Sequence, residues 1–341
     1  MNVRQGFEPD DLLLIPQPSS INSRSEVDLS TDLGSGFILK LPIISAPMSG
    51  IVGVELIREL GRLGGLGILH RFYNDVIERE KDVSFLEKAA INFGVAIGLG
   101  DNYYRHALNF GATIVLIDVA NGYLDSVVEF TENVAGYIKQ SGYNCLVMAG
   151  NVATFDGAKR LYDAGATLIR VGIGSGQLCV TRQNTGSGVS QATAIQDCSH
   201  YLNDIDIYEM GSEHRINPKT PWYTIADGGI KTSGDGTKAL ALGADFLMIG
   251  SLFANAYESD HDGKIQGQAS REHQEQFYGK VRKSVEGVQQ CAEKKMSLEE
   301  LITEFCWNMR SGFVYSNSTS ISDLHKNAKF ILCGTESIIQ K

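Results

Sequence analysis

An α/β fold closed into a (β/α)8 TIM barrel, as a single domain over residues 1–341, is predicted from three features of the sequence. Short apolar runs recur eight times with helical stretches between them. The runs show no polar alternation, as expected of parallel strands covered on both faces. The junctions that lead into several of them share one glycine-centred pattern. A length of 341 residues suits such a barrel, which routinely runs this long as one unit. An open doubly wound sheet ranks second, because glycine-rich segments follow many strands and not one.

In chain order the strands are expected at 42–45, 65–69, 91–96, 113–118, 145–149, 168–172, 223–226 and 246–249. Phe110-Gly111-Ala112-Thr113, Ala164-Gly165-Ala166-Thr167 and Leu242-Gly243-Ala244-Asp245 precede the fourth, sixth and eighth. Each glycine stands where a positive φ would end a helix. The spacing breaks between the sixth and seventh strands, where the polar stretch 202–221 reads as a surface insertion. Residues 257–296, rich in Gly, Gln, His and charge, follow the last strand and read as a mobile flap. Helical periodicity returns after Ser297, with Glu299 and Glu300 in the expected first turn.

Composition narrows the function. With 43% hydrophobic and 21% charged residues, the chain reads as a soluble globular protein able to bury a large core. The net charge of −10 argues against nucleic acid as a partner, since such partners call for a basic face. A small anion would need a local pocket. No apolar run reaches the roughly 18 residues that span a bilayer, and the first ten residues lack a signal-peptide pattern. A cytoplasmic location without membrane contact is expected. The six cysteines have neither metal-ligand nor redox-motif spacing, and five of them, Cys145, Cys198, Cys291, Cys306 and Cys333, read as small buried hydrophobes.

Cys179 differs because of its neighbours. In a barrel of this kind the chemistry sits at the C-terminal strand ends. Those ends carry Ser45, His70-Arg71, Asp118 with Asn121, Gly150-Asn151, Asp227-Gly228-Gly229 and Gly250-Ser251. After the sixth comes Gly172-Ile173-Gly174-Ser175-Gly176-Gln177-Leu178-Cys179-Val180-Thr181-Arg182. Exposed N–H groups and a nearby guanidinium, here that of Arg182, can activate a thiol as nucleophile. The glycines after strands seven and eight lie where barrels bind phosphate through backbone N–H groups, although glycine also serves plain tight turns. A phosphorylated ligand is expected beside Cys179.

These residues resemble the family of IMP dehydrogenases and GMP reductases over nearly the whole chain, from Pro42 to Tyr315. The resemblance is carried by the Cys179 loop, Ala149-Gly150-Asn151-Val152-Ala153-Thr154, Asp227-Gly228-Gly229 and Ser233-Gly234-Asp235. It implies that Cys179 attacks C2 of a purine nucleotide, that Asp227 holds the ribose hydroxyls, and that the 5′-phosphate lies among Gly228, Gly229, Gly250, Ser251, Tyr278 and Gly279, with Ser45 nearby. Arg71, Asp118 and Asn151 would border the nicotinamide. Thr181 and a flap glutamate, either Glu286 or Glu293, would move the proton. A monovalent cation, K+, would rest on carbonyls of Gly174, Gly176 and Cys179, and the assembly would be a homotetramer. Arg282 and Lys283 are either contacts to a cofactor phosphate or solvated flap charges.

Within the family, Asp118-Val119-Ala120-Asn121-Gly122-Tyr123, Thr185-Gly186 and Phe277-Tyr278-Gly279 look like the reductase branch, which implies NADPH-dependent conversion of GMP to IMP and ammonia. About twenty residues separate Leu69 from Ile91, so the regulatory CBS insertion of the dehydrogenases has no room. No Arg-Tyr pair that would activate water occurs between Gly279 and Ser297. The loops at 226–235 and 250–251 look more like the dehydrogenase branch, which keeps an IMP dehydrogenase-type oxidoreductase as an alternative. The chain departs from the family at Ser49, Gly50, Gln177 and Arg71, where Asp, Thr, Ser and the reductase Lys are usual. Those departures support a further alternative, a catalytically silent purine-nucleotide-binding barrel, or a shifted phosphate site.

Overall fold

Apolar residues repeating at every second position place one series of side chains inside a closed sheet and the other outside it. In a computed structural model describing residues 3–199, 222–281 and 285–333, eight strands do this. They are β1 Ile43–Ser45, β2 Gly67–Leu69, β3 Phe93–Ile97, β4 Ile114–Asp118, β5 Leu146–Val152, β6 Leu168–Val171, β7 Tyr223–Asp227 and β8 Phe246–Ile249. All neighbours pair in parallel, β8 beside β1 included. Leu66 N–H donates to Ile43 O at 3.0 Å and Ser45 N–H to Leu66 O at 2.9 Å, which brings β1 beside the start of β2 and completes the ring. The expected insertion at 202–221 and the flap residues Arg282 and Lys283 lie outside the described residues.

Inside the ring, Ile44, Ile68, Ala96, Leu116, Met148, Leu168, Ile225 and Phe246 form a packed core. Leu33 and Leu39, from a two-stranded ribbon ahead of β1, join that core. The outward series, among them Ile43, Val95, Ile117, Ala149, Ile169 and Leu247, belongs to a second core that includes the helices. Those helices are α1 Val54–Leu63, α2 Val76–Lys88, α3 Tyr104–Asn109, α4 Asp125–Ser141, α5 Phe155–Asp163, α6 Thr181–Thr185, α7 Gln191–Cys198, α8 Ser233–Ala241, α9 Arg271–Tyr278, α10 Leu298–Tyr315 and α11 Ile321–Asn327. Gly111, Gly165 and Gly243 take φ of 77°, 101° and 106°, the left-handed conformation expected of the helix-to-strand junctions. Helix α10 begins where the sequence indicated, with Ser297 and Glu300 forming a reciprocal capping box.

The region 257–296 holds α9 between two short strands, β9 Lys264–Gln266 and β10 Gln289–Cys291, which pair antiparallel. Between β2 and β3 the chain has room only for α2 and its turns, and no CBS-sized insertion is present. Among the described residues, no helix is long and apolar enough to cross a membrane.

Candidate active site

The inward series ends in charge at the C-terminal mouth. Leu116 is followed two residues on by Asp118, Leu168 by Arg170 and Ile225 by Asp227, so all three polar side chains enter the barrel from adjacent or nearby strands. Arg170, only 6% exposed, binds both acids. Its Nη1 lies 2.6 Å from Asp118 Oδ1 and its Nη2 2.8 Å from Asp227 Oδ2. Arg71 Nε adds a bond of 3.1 Å to Asp118 Oδ2, with its guanidinium 4.3 Å above the Phe72 ring. Burial disfavours a charged Asp118, yet the two guanidiniums outweigh it and hold the carboxyl below its ordinary range. A buried charge is tolerated only when paired in this way.

Asp227 is used asymmetrically. Its Oδ2 accepts from Asn151 Nδ2 at 2.6 Å and from two nitrogens of Arg170. Oδ1 accepts no hydrogen bond among the described residues. The acid is therefore oriented on one edge and open on the other.

The nucleophile loop is shaped by close backbone approach. A side chain at Gly172 would meet Asp227 O at 2.1 Å, and φ there is 146°. Beyond this turn, Cys179 Sγ lies 3.0 Å from Thr181 Oγ1, which in turn donates to Glu286 Oε2 at 2.8 Å. Because the threonine proton points to the carboxylate, the thiol can donate to the hydroxyl oxygen. Backbone bonds from Val180 N–H to Glu286 O, 2.9 Å, and from Val288 N–H to Leu178 O, 3.0 Å, fasten the flap to the loop around Cys179.

A cavity of about 450 Å³ gathers Cys179, Thr181, Glu286, Arg71, Asp118, Asn151, Asp227, Gly228, Gly229, Gly250, Ser251 and Tyr278, with Gly174 and Gly176 in its wall. Four expected residues are placed otherwise. Glu293 lines a different cavity. Ser45 is buried in the barrel wall, where its Oγ accepts the Ile68 N–H at 2.9 Å. Gly279 ends α9 at φ 67°, one residue past Tyr278. Arg182, expected to face the thiol, instead donates to Ile173 O and Val189 O and pairs with Glu8. Its guanidinium ties the loop to Glu8 of the N-terminal segment.

One further expectation needs correction. Cys291 is exposed on β10, and Cys145 and Cys333 are half-buried, whereas Cys198 and Cys306 are buried as expected. Ser49, a departure from the family pattern, has a structural partner: its Oγ lies 2.9 Å from Nε2 of the fully buried His273 on α9. Arg170 was missed by reading strand ends alone. Its signal was a lone cation two residues after an inward-facing leucine. Gln191 and Ser175, which donate to the Asp227 carbonyl at 3.2 and 2.9 Å, left no such signal. Among the described residues no cluster of three or more His, Cys, Asp or Glu side chains could hold a metal ion.

A parallel barrel presenting a cysteine on a glycine-rich loop, paired acids and glycine-lined turns at one mouth defines a nucleotide-handling barrel enzyme. The family profile for the IMP dehydrogenase / GMP reductase domain matches residues 6–340, and the chain belongs to that family of oxidoreductases acting on purine nucleotides with a nicotinamide cofactor. It is 31% identical to a GMP reductase of Lysinibacillus sphaericus (strain C3-41) over 340 residues, 96% of this chain and 95% of the relative. Identity to a GMP reductase of Streptococcus agalactiae serotype V is 32%, over 93% and 92% of the two chains. An inosine-5′-monophosphate dehydrogenase of Nitrosopumilus maritimus is 25% identical, with 97% and 96% covered.

Proposed function

We propose that this protein converts GMP to IMP and ammonia through a covalent adduct between Cys179 Sγ and purine C2, with NADPH as reductant. The observation that carries the reading is the hydrogen-bonded row Cys179, Thr181, Glu286 inside a nucleotide-sized cavity. Asp227 presents Oδ1 to the ribose diol while Arg170 and Asn151 hold its other oxygen. Backbone N–H groups at Gly228, Gly229, Gly250 and Ser251, with Tyr278, take the 5′-phosphate. Arg71, Asp118 and Asn151 border the nicotinamide side, where Phe72, Val119 and Ala120 supply apolar wall. That mixture of flat apolar surface and fixed polar groups fits a carboxamide-bearing ring. When bound, the reduced nicotinamide supplies a hydride to C2.

The chain's own residues handle the rest. The Cys179 proton passes to Thr181 Oγ1 as Sγ bonds to C2, and the threonine proton passes to Glu286. Glu286 then returns a proton through Thr181 to the 2-amino group, which leaves as ammonia. Once C2 has received hydride, the C2–S bond breaks and the thiolate departs, leaving IMP. Overall, GMP, NADPH and two protons give IMP, ammonium and NADP+. Carbonyls of Gly174, Gly176 and Cys179 are oxygen donors suited to K+, which would hold the loop's shape. The Gly176 carbonyl already accepts the Cys179 N–H at 3.0 Å and keeps one lone pair. The family resemblance supports a homotetramer.

The full-length similarity to a dehydrogenase, and the dehydrogenase-like loop at 226–235, favour IMP oxidation as the second reading. Lack of an Arg-Tyr pair to activate water speaks against it. Intact-protein mass spectrometry after mixing with GMP alone tests the adduct. A nucleotide-sized mass gain with ammonia release, absent in Cys179→Ala, is expected; no gain in the unaltered protein refutes the covalent route.

A further inference from the structure

The N-terminal segment ahead of the barrel reaches the loop that carries Cys179, and one side chain makes the link. Glu8, half-buried, divides its carboxylate between two elements. Its Oε2 accepts the backbone N–H of Gln191, the first residue of α7, at 2.9 Å, where a carboxylate also meets the positive end of a helix. Its Oε1 accepts from Arg182 Nη1.

The first contact stands on a well-supported element. Gln191 Nε2 donates to Val171 O at 2.9 Å and to Asp227 O at 3.2 Å, which pins α7 to the ends of β6 and β7. Phe7 N–H donates to Thr193 Oγ1 at 2.8 Å, and Thr193 N–H returns a bond to Phe7 O at 3.2 Å. The buried Lys238 of α8 donates to Pro9 O at 2.6 Å. Glu8 is thus held between two barrel helices.

The second contact restrains α6, a helix of five residues that carries Thr181 next to Arg182. So short a helix depends on outside contacts for its shape. The Arg182 stem threads between Gly174 and Gly188, where a Cβ on either glycine would come within 2.4 or 2.7 Å of Arg182 Cγ. Its head donates to Ile173 O at 3.2 Å and to Val189 O at 2.5 Å before it meets Glu8. The guanidinium therefore has little rotamer freedom left to lose, and the pair escapes much of the entropy cost that makes exposed ion pairs weak.

We infer that Glu8 is a positioning residue for the proposed reaction: acting through Arg182, it fixes α6 against α7 and so sets the place of Thr181 and of Cys179, whose Sγ lies 3.0 Å from the threonine hydroxyl. This rests on the reading that Cys179, Thr181 and Glu286 form the reacting row. Glu8 acts from outside the cavity that holds that row.

Steady-state kinetics with GMP and NADPH, together with hydrogen–deuterium exchange of peptides spanning 173–186, test this on the full chain in Glu8→Ala, Arg182→Met and the double variant. Methionine keeps an unbranched stem between the two glycines and lacks the guanidinium. Glu8→Ala is expected to lower kcat about tenfold, short of the roughly 100-fold that an ångström of misplacement can cost. KM for GMP stays unchanged, because Gln191 keeps both side-chain bonds to the strand ends. Exchange quickens over 173–186 and not in the barrel strands. Adding Glu8→Ala to Arg182→Met costs no further kcat and quickens exchange no further, as expected of two residues on one route. Unaltered kcat and exchange in Glu8→Ala, a loss confined to KM, or fully additive losses in the double variant overturn the inference. If the unaltered protein does not turn over GMP, the reaction reading fails by itself, and exchange decides the role of Glu8: quickening over 173–186 that is absent from the Arg182→Met background upholds it, and any other pattern overturns it.

Discussion

The sequence leaves two flap glutamates open, and position separates them. Glu286 touches Thr181, whereas Glu293 lines a different cavity. Glu286→Gln should lower turnover by about 100-fold or more, the usual contribution of a positioned acid or base, while Glu293→Gln stays near the unaltered rate in a steady-state assay. Equal losses would contradict the proton route. Cys179 and Asp227 were legible because reactive side chains stood beside glycine at strand ends. Arg170 was not, since a cation inside an apolar strand looks like a register mark until its two carboxylate partners, 52 and 57 residues away, are known. Arg182 was misplaced for the converse reason. Its nearness in sequence to Cys179 said nothing of Glu8, which comes from the distant N-terminal segment.

At the level of elements, all eight strands fall within two or three residues of the expected runs, because strands covered on both faces need continuous apolar sequence. The flap was legible only as an irregular stretch. Its α9 and its β9–β10 ladder depend on contacts with the Cys179 loop and with Ser49, which local sequence does not encode. Gly287, which bridges to Cys179, is closely packed against the flap's own backbone. A Cβ there would meet Ser270 N at 2.9 Å and Gly267 Cα at 3.2 Å, both backbone and unable to yield cheaply. Gly287→Val should displace the segment that carries Glu286 and separate Glu286 from Thr181. The barrel core lies elsewhere, so global stability should fall by no more than about 3 kcal/mol, while turnover drops roughly 100-fold, as misplacement by an ångström can do. Unaltered turnover by stopped-flow would contradict the docking role of this segment.

Over the whole molecule, the barrel is readable from eight apolar runs and the glycine junctions that precede several of them, and the ribbon carrying Leu33 and Leu39 that joins its inner core is not. Stability against pH is a property of this scale. Burial, assisted by Arg79 and His273, pushes His70 down to about 4, and burial with Arg71 nearby does the same to His273. Both start from 6.5 in the unfolded chain, so the fold favours the neutral rings. Their contribution is complete above pH 6.5 and is lost as pH falls toward about 4. Urea midpoints should decline across that window. In His273→Gln, which retains a polar partner for Ser49, the decline should be shallower, and an unchanged slope would show that His273 does not titrate on unfolding.

Nicotinamide absorbance separates GMP reduction from IMP oxidation, with purified protein in two mixtures, GMP with NADPH and IMP with NAD+. Absorbance is expected to fall in the first and stay constant in the second, with Cys179→Ala inert in both. A rise in the second mixture with no fall in the first would contradict it, since the enzyme would then oxidise IMP and some other group would have to activate water.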